Sequence, residues 1–390
     1  MTGSILAAIV GISIAVTAAP AAAQETPLDV ISFLVTNQSV QTGDFQKDRA
    51  AAEATRDTIA RALQVNLATS PIATSSSGFV YRLDPELGTV SRVSDSFGTF
   101  FVERAMTSGK GRASFGMSAS TAGYDQLDGL NLRDGTLLTT ANQFADEPAP
   151  FDTEALTLKI RTSTLTFFGA YGVTDRLEIS GAVPLVQLNI DGSRLNTYYG
   201  ESFVQASGSA AASGLADVAI RGKYRFLATR TGGLAAAAEL RLPTGDEQQL
   251  LGAGSAALRL MAIASAESGV LGGHANFSIV RGGVSDEIAA SGAVTVAASP
   301  TVTLAGELLF RRLTDVRQIV AVSAAHPTSA GVATDRLAPG LSTPTLSSAV
   351  TGVKWNVSGT FVLTAEVLWR LGKAGLTTPF TPTVSLDYRF

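Results

Sequence analysis

The 390-residue chain has no cysteine and only two histidines. The first absence excludes a disulfide framework, a thiolate metal site, a cysteine nucleophile and a lipid-anchored cysteine. Charged residues are scarce at 16%, while hydrophobic residues reach 45%; about 25% charged is usual in a soluble domain. Long apolar runs are also missing. Beyond the N-terminus none reaches the roughly 18 residues that a spanning helix needs. An apolar chain without apolar runs fits strands that alternate, with one apolar face each. The net charge of −4 and the lack of a basic cluster speak against nucleic acid as a partner. Two distant histidines leave no metal site beyond weak surface binding by carboxylates such as Asp146 and Glu147. No cofactor is expected.

At the N-terminus, Ile5 to Ala19 is apolar except for Gly11, Ser13 and Thr17, and Pro20 and Ala21-Ala22-Ala23 come next. This pattern predicts a signal peptide over residues 1–23, cleaved before Gln24. Residues 24–110 differ in pattern from the rest of the chain. Asp44 is a candidate N-cap, the run Gln46 to Ala68 suits a helix, and Pro71 stops it. Ile59, Leu63 and Leu67 form an apolar stripe, with Arg49, Glu53, Arg56 and Asp57 largely away from it. Ser75 to Gly78 suggests a loop. The segment is expected to plug a barrel or to hang in the periplasm.

From Gly111 to Phe390 the period changes from 3.6 to 2. In Leu215 to Leu227, Ala216, Val218, Ile220, Tyr224 and Phe226 alternate with Asp217, Arg221, Lys223 and Arg225. Facing such charges to lipid costs about 2–4 kcal/mol each at mid-membrane, so one face could meet lipid and the other could not; a soluble sandwich strand with a solvated face would alternate in the same way, and the number of such strands separates the two. The alternation recurs at 113–119, 156–161, 177–190, 234–242, 258–260, 271–281, 286–298, 302–312, 353–357, 361–371 and 382–390. After Thr162 its phase shifts to Leu165, Phe167 and Tyr171, which predicts a bulge. The expectation is all-β: a transmembrane antiparallel barrel of about twelve strands after a short helical segment. Connections alternate between short and long, as periplasmic turns and outer loops do. Phe167, Phe168, Tyr171, Tyr224 and Phe226 are expected at the periplasmic girdle, Phe310 and Trp369 at the other. The alternating last strand ends in Phe390, which predicts delivery to the barrel-assembly machinery and insertion into the bilayer of a bacterial outer membrane.

Four segments resemble one family, outer-membrane proteins assigned as transporters of the meta-pathway of phenol degradation. They are Phe100 to Gly116, Gly172 to Leu185, Gly214 to Phe226 and Glu239 to Gly254. With the strand pattern the resemblance spans most of residues 100–390. It implies a barrel and a transport role, and it supplies no catalytic residue.

The expected lumen-lining charges are Lys159, Arg161, Arg221, Lys223, Arg225, Glu239, Arg241, Arg259, Glu307, Arg311, Lys354, Glu366 and Arg370. A basic excess would favour anionic solutes; ordinary lumen ion pairs are the plainer account. The expected function is a transporter or channel for small solutes, aromatic or anionic ones included, whose identity stays unknown. The rivals are a barrel enzyme of lipase or protease type and a structural or adhesive barrel. An enzyme would need His274 or His326 beside a nucleophile, and neither stands in a catalytic motif.

Overall fold

The computed structural model describes residues 26–35, 45–67, 81–84, 89–92, 96–141, 152–198, 200–229, 232–325 and 333–389. The expected signal peptide, the Asp44 cap, the loop at Ser75 to Gly78, His326 and Phe390 lie outside them.

Twelve antiparallel strands close on themselves. They are β1 (Ala113–Tyr124), β2 (Asp152–Gly172), β3 (Leu177–Tyr198), β4 (Val218–Ala228), β5 (Gly232–Leu242) and β6 (Ala257–Ser268). Then come β7 (Leu271–Gly282), β8 (Glu287–Ser299), β9 (Val302–Leu313), β10 (Thr345–Asn356), β11 (Phe361–Arg370) and β12 (Phe380–Arg389). Each pairs with the next, and β12 pairs with β1 through Ser385↔Ser118. One end carries only short turns; the other carries the long loops, with the four-residue β7–β8 connection among them; in bacterial barrels the short turns face the periplasm.

The alternation sorts side chains by solvent. On β4, Ala219, Arg221 and Lys223 are buried inside, while Ile220, Tyr224 and Phe226 are exposed outside. The same outward exposure holds for Ile179, Leu240, Leu260, Ile279, Leu308 and Val384. An apolar belt around a closed barrel is far larger than the few hundred Å² a soluble monomer tolerates, and it matches the lipid-facing band of a membrane barrel. Exposed Phe115, Tyr171, Tyr224 and Phe226 mark the short-turn end, and Phe310 and Trp369 lie toward the loop end. Phe168 departs from the expected girdle. Its neighbour Phe167 stacks on outward Phe115 at 6.5 Å, so Phe168 points into the lumen, as the pleat requires.

The strands β2 and β3 have 21 and 22 residues, about twice what a spanning strand needs. Their loop-end halves therefore rise beyond the bilayer, and there the polarity inverts. Leu156, Leu158, Ile160, Leu188 and Ile190 are buried inside. The β2–β3 register runs without a shift from Thr153↔Thr197 to Gly172↔Glu178, so the bulge expected after Thr162 is absent. The apolar face changes sides because its surroundings change.

The inverted face packs on helices. The helix α1 (Pro27–Val35) buries Val30, Ile31 and Leu34. Its start is a reciprocal cap. The Asp29 amide donates to Thr26 Oγ1 (3.1 Å), and Thr26 N–H and O–H donate back to Asp29 Oδ2 (3.0 and 2.7 Å). Those bonds hold the Asp29 carboxyl below the usual carboxylate range. Pro27 occupies the first turn, where its missing N–H costs nothing. The helix α2 (Phe45–Leu67) comes next, with Ile59, Leu63 and Leu67 buried. Both helices share one apolar cluster with Leu156, Leu158, Ile160, Leu188 and Ile190. They fill the loop end of the barrel.

Candidate functional site

The short-turn half of the lumen holds the chain that precedes β1. Residues 96–108 form no helix or strand, yet Phe97, Thr99, Phe100, Val102 to Ala105 and Ser108 are all buried. Buried backbone must find partners, and wall side chains supply them. Phe97 N–H donates to Thr303 Oγ1 at 3.0 Å. Three successive amides, those of Phe100, Phe101 and Val102, donate to the Glu307 carboxylate, the latter two at 2.9 and 3.1 Å. Ala105 N–H reaches Ser265 Oγ at 2.9 Å, and Ser108 N–H reaches Glu178 Oε2 at 2.6 Å. Lys354 Nζ donates to the Thr99 carbonyl at 2.6 Å.

Side-chain charges complete the anchoring. Glu103 pairs with Arg221 and, at 3.1 Å, with Lys223, whose ammonium also meets Glu178 at 3.0 Å. Arg221 pairs in turn with Glu239. These bonds fix residues 96–108 as a plug held by β3, β4, β6, β9 and β10. His274 belongs to the same layer: its Nδ1 lies 3.0 Å from Ser265 Oγ, the hydroxyl that takes the Ala105 amide.

The expected lumen charges thus divide. Arg221, Lys223, Glu307 and Lys354 hold the plug. Glu239 is buried between Arg221 and Arg241. Arg225 sits at the short-turn rim, donating to the Asp175 carbonyl at 3.0 Å. Arg370, near the loop end, pairs with Asp125 at 3.2 Å. Arg241, Arg311, Lys354, Glu366 and Arg370 border a cavity of about 240 Å³. Arg259 borders two smaller voids with Arg241 and Arg311. Lys159 and Arg161 are a correction. They are exposed on the outer face of β2, and Lys159 lies opposite Asp191 on β3. Above the bilayer the outward face is the wet one, so charges belong there.

Residues that a search for charge misses line the opposite wall. On β12, β1 and β2 successive inward residues are Ser or Thr: Thr381, Thr383 and Ser385, then Ser118 and Ser120, then Thr162, Thr164 and Thr166. Ser385 is opposite Ser118, itself opposite Thr166; one step further, Thr383, Ser120 and Thr164 form the next row. All six border the cavity. The plug bonds described above go to other strands, and these hydroxyls border the cavity. Toward the short-turn end the strip meets Phe168, Phe100 and Phe101; toward the loop end it meets Asn66 and Leu67 of α2. Phe168 lies across Gly116, where an added Cβ would sit 2.6 Å from the ring and 2.9 Å from the Asp387 carboxylate. Glu103 and Glu287 are further lumen charges beyond the expected set. A period-2 run of Ser and Thr at 118–120, 162–166 and 381–385 is the signal that would have found the strip.

No protein-family profile matches the chain, and no curated protein matches it. Among solved structures, it is similar to an outer membrane channel from Pseudomonas putida F1, at 13% identity and a TM-score of 0.47, over 73% of this chain and 98% of that one. It is also similar to the NanC porin, at 7% identity and a TM-score of 0.38, over 70% of this chain and 100% of that one. OprB of Pseudomonas putida is similar at 10% identity and a TM-score of 0.31, over 72% and 93%. All three scores lie below 0.5, which makes these loose likenesses.

Proposed function

We propose that this chain is an outer-membrane channel in which small polar solutes cross along the hydroxyl strip of β12, β1 and β2, beside a fixed plug. One observation carries the reading: the plug is bonded to one side of the wall, and the side it leaves is lined by Ser and Thr and holds a cavity of about 240 Å³. A liquid water takes about 30 Å³, so the space suits a short file of waters or one small molecule. Neutral hydroxyls exchange hydrogen bonds with passing water and solute without trapping either. The segment Phe100 to Gly116, one of those resembling the phenol-pathway transport family, is the plug and the start of β1, which agrees with a transport role.

The test is single-channel conductance in planar bilayers, with the folded state checked by heat-modifiable mobility. Wild type is expected to conduct weakly, and Ser120→Trp, which fills the strip without touching the plug's anchors, is expected to abolish the current. Equal currents in both proteins would place the path elsewhere. A folded wild-type barrel that never conducts would overturn the channel reading.

A further inference from the structure

We infer that Arg241 and Arg311, on the cavity wall facing the hydroxyl strip, form with Arg259 of the two smaller adjoining voids a binding station for small carboxylate anions; this deepens the channel reading above and rests on it. The station is built in two layers. Arg259 and Arg311 share one carboxylate, that of Glu287, at 3.1 and 2.6 Å. Among the described ion pairs, two guanidiniums share this one carboxylate, an excess of positive charge. Glu287 is 3% exposed, against 21% for Arg259 and 13% for Arg311. Arg241 and its partner Glu239 repeat the layering at 11% and 1%. The anions lie behind and the cations face the lumen.

Three voids, of about 240, 30 and 60 Å³, meet at Arg241 and Arg311. The largest also contains the hydroxyls of Ser118, Ser120 and Thr164. A carboxylate there would meet planar guanidiniums suited to its two oxygens and O–H donors opposite. Other charges border the same space. Asp217 turns its carboxylate to the amides of Gly245 (3.0 Å) and Ala253 (2.9 Å). Glu366 and Asp387 flank Lys354 nearer the short-turn end. The basic pole is therefore local, and the anion's polar head is placed at the Arg side.

The experiment measures reversal potential in an asymmetric KCl gradient, then chloride current with added sodium benzoate, for wild type, Arg311→Lys and Arg241→Gln/Arg311→Gln. Wild type is expected to prefer chloride and to show saturable benzoate block. The lysine variant should keep the chloride preference. The double variant should lose it and bind benzoate about tenfold or more weakly, the loss expected for a charged hydrogen bond. Cation preference in wild type, or block unchanged in the double variant, would overturn the station. If the folded protein carries no current, the channel reading fails, and calorimetry on the detergent-solubilised barrel decides the station alone: saturable benzoate heat lost in the double variant supports it, and no heat in wild type ends it.

Discussion

Glu307 shows how a buried charge can serve a backbone. One carboxylate takes three successive plug amides, the task a helix C-terminus or sheet edge would otherwise perform. Glu307→Gln keeps one acceptor oxygen and adds an unwanted N–H₂ donor. At about 1–3 kcal/mol for each buried group left unsatisfied, the plug should loosen while the barrel stays folded. Larger and noisier single-channel currents with unchanged heat-modifiable mobility are expected; quiet, wild-type currents would show that Glu307 is dispensable for the plug. Phe168 is the second residue to test. Its ring closes on Gly116, so Phe168→Ala should raise conductance and Gly116→Val, which drives the ring into the strip, should lower it. The inward side of Phe168 was recoverable from the sequence, because adjacent residues of a strand cannot both face lipid. Placing Phe167 and Phe168 in one girdle overlooks that rule.

Among the elements, the β2–β3 hairpin and α1 explain each other. Glycine at 192 admits Leu34, since an added Cβ would lie 2.1 Å from Leu34 Cδ1 and 2.9 Å from Leu158 Cδ2. Gly192→Leu should expel α1 from the loop end, read as new protease cleavage within residues 26–35 of an otherwise resistant barrel. Cleavage unchanged from wild type would show that α1 is held without this contact. Asp29 adds a pH dependence. Its carboxyl is held below its ordinary value in the folded helix, so the cap's contribution is present above the unfolded value and lost as pH falls through the folded one. Acidification through that range should raise the same cleavage, and Thr26→Val should remove the effect. Lys159→Gln/Arg161→Gln, by contrast, should leave ion selectivity unchanged, because both side chains are outside. The helix α2 was legible from its stripe. The shorter α1 was announced only by Thr26-Pro27-x-Asp29, a cap with few residues after it to show a period. Lys159 and Arg161 were misplaced because alternation tells two faces apart but not which face is wet; that depends on height above the membrane.

For the whole molecule, the strand number was legible because a charge on the lipid side is too costly for the alternation to drift. Turn and loop lengths then set the direction. The plug was not legible in detail. Residues 96–108 obey no period, and their bonds reach residues such as Thr303 and Glu307, some 200 positions away in sequence. Only the closed barrel brings those groups together.

The positions of the helices and the plug also bear on biogenesis. The helices occupy one end of the barrel and the plug the other. The strand next after the plug, β1, is also the one that β12 must meet to seal the circle. The last seam is therefore expected to close over cargo already aboard, with the wall wound around the N-terminal segment its side chains bind; a sealed barrel whose N-terminal segment is still open to protease during assembly would show the opposite order.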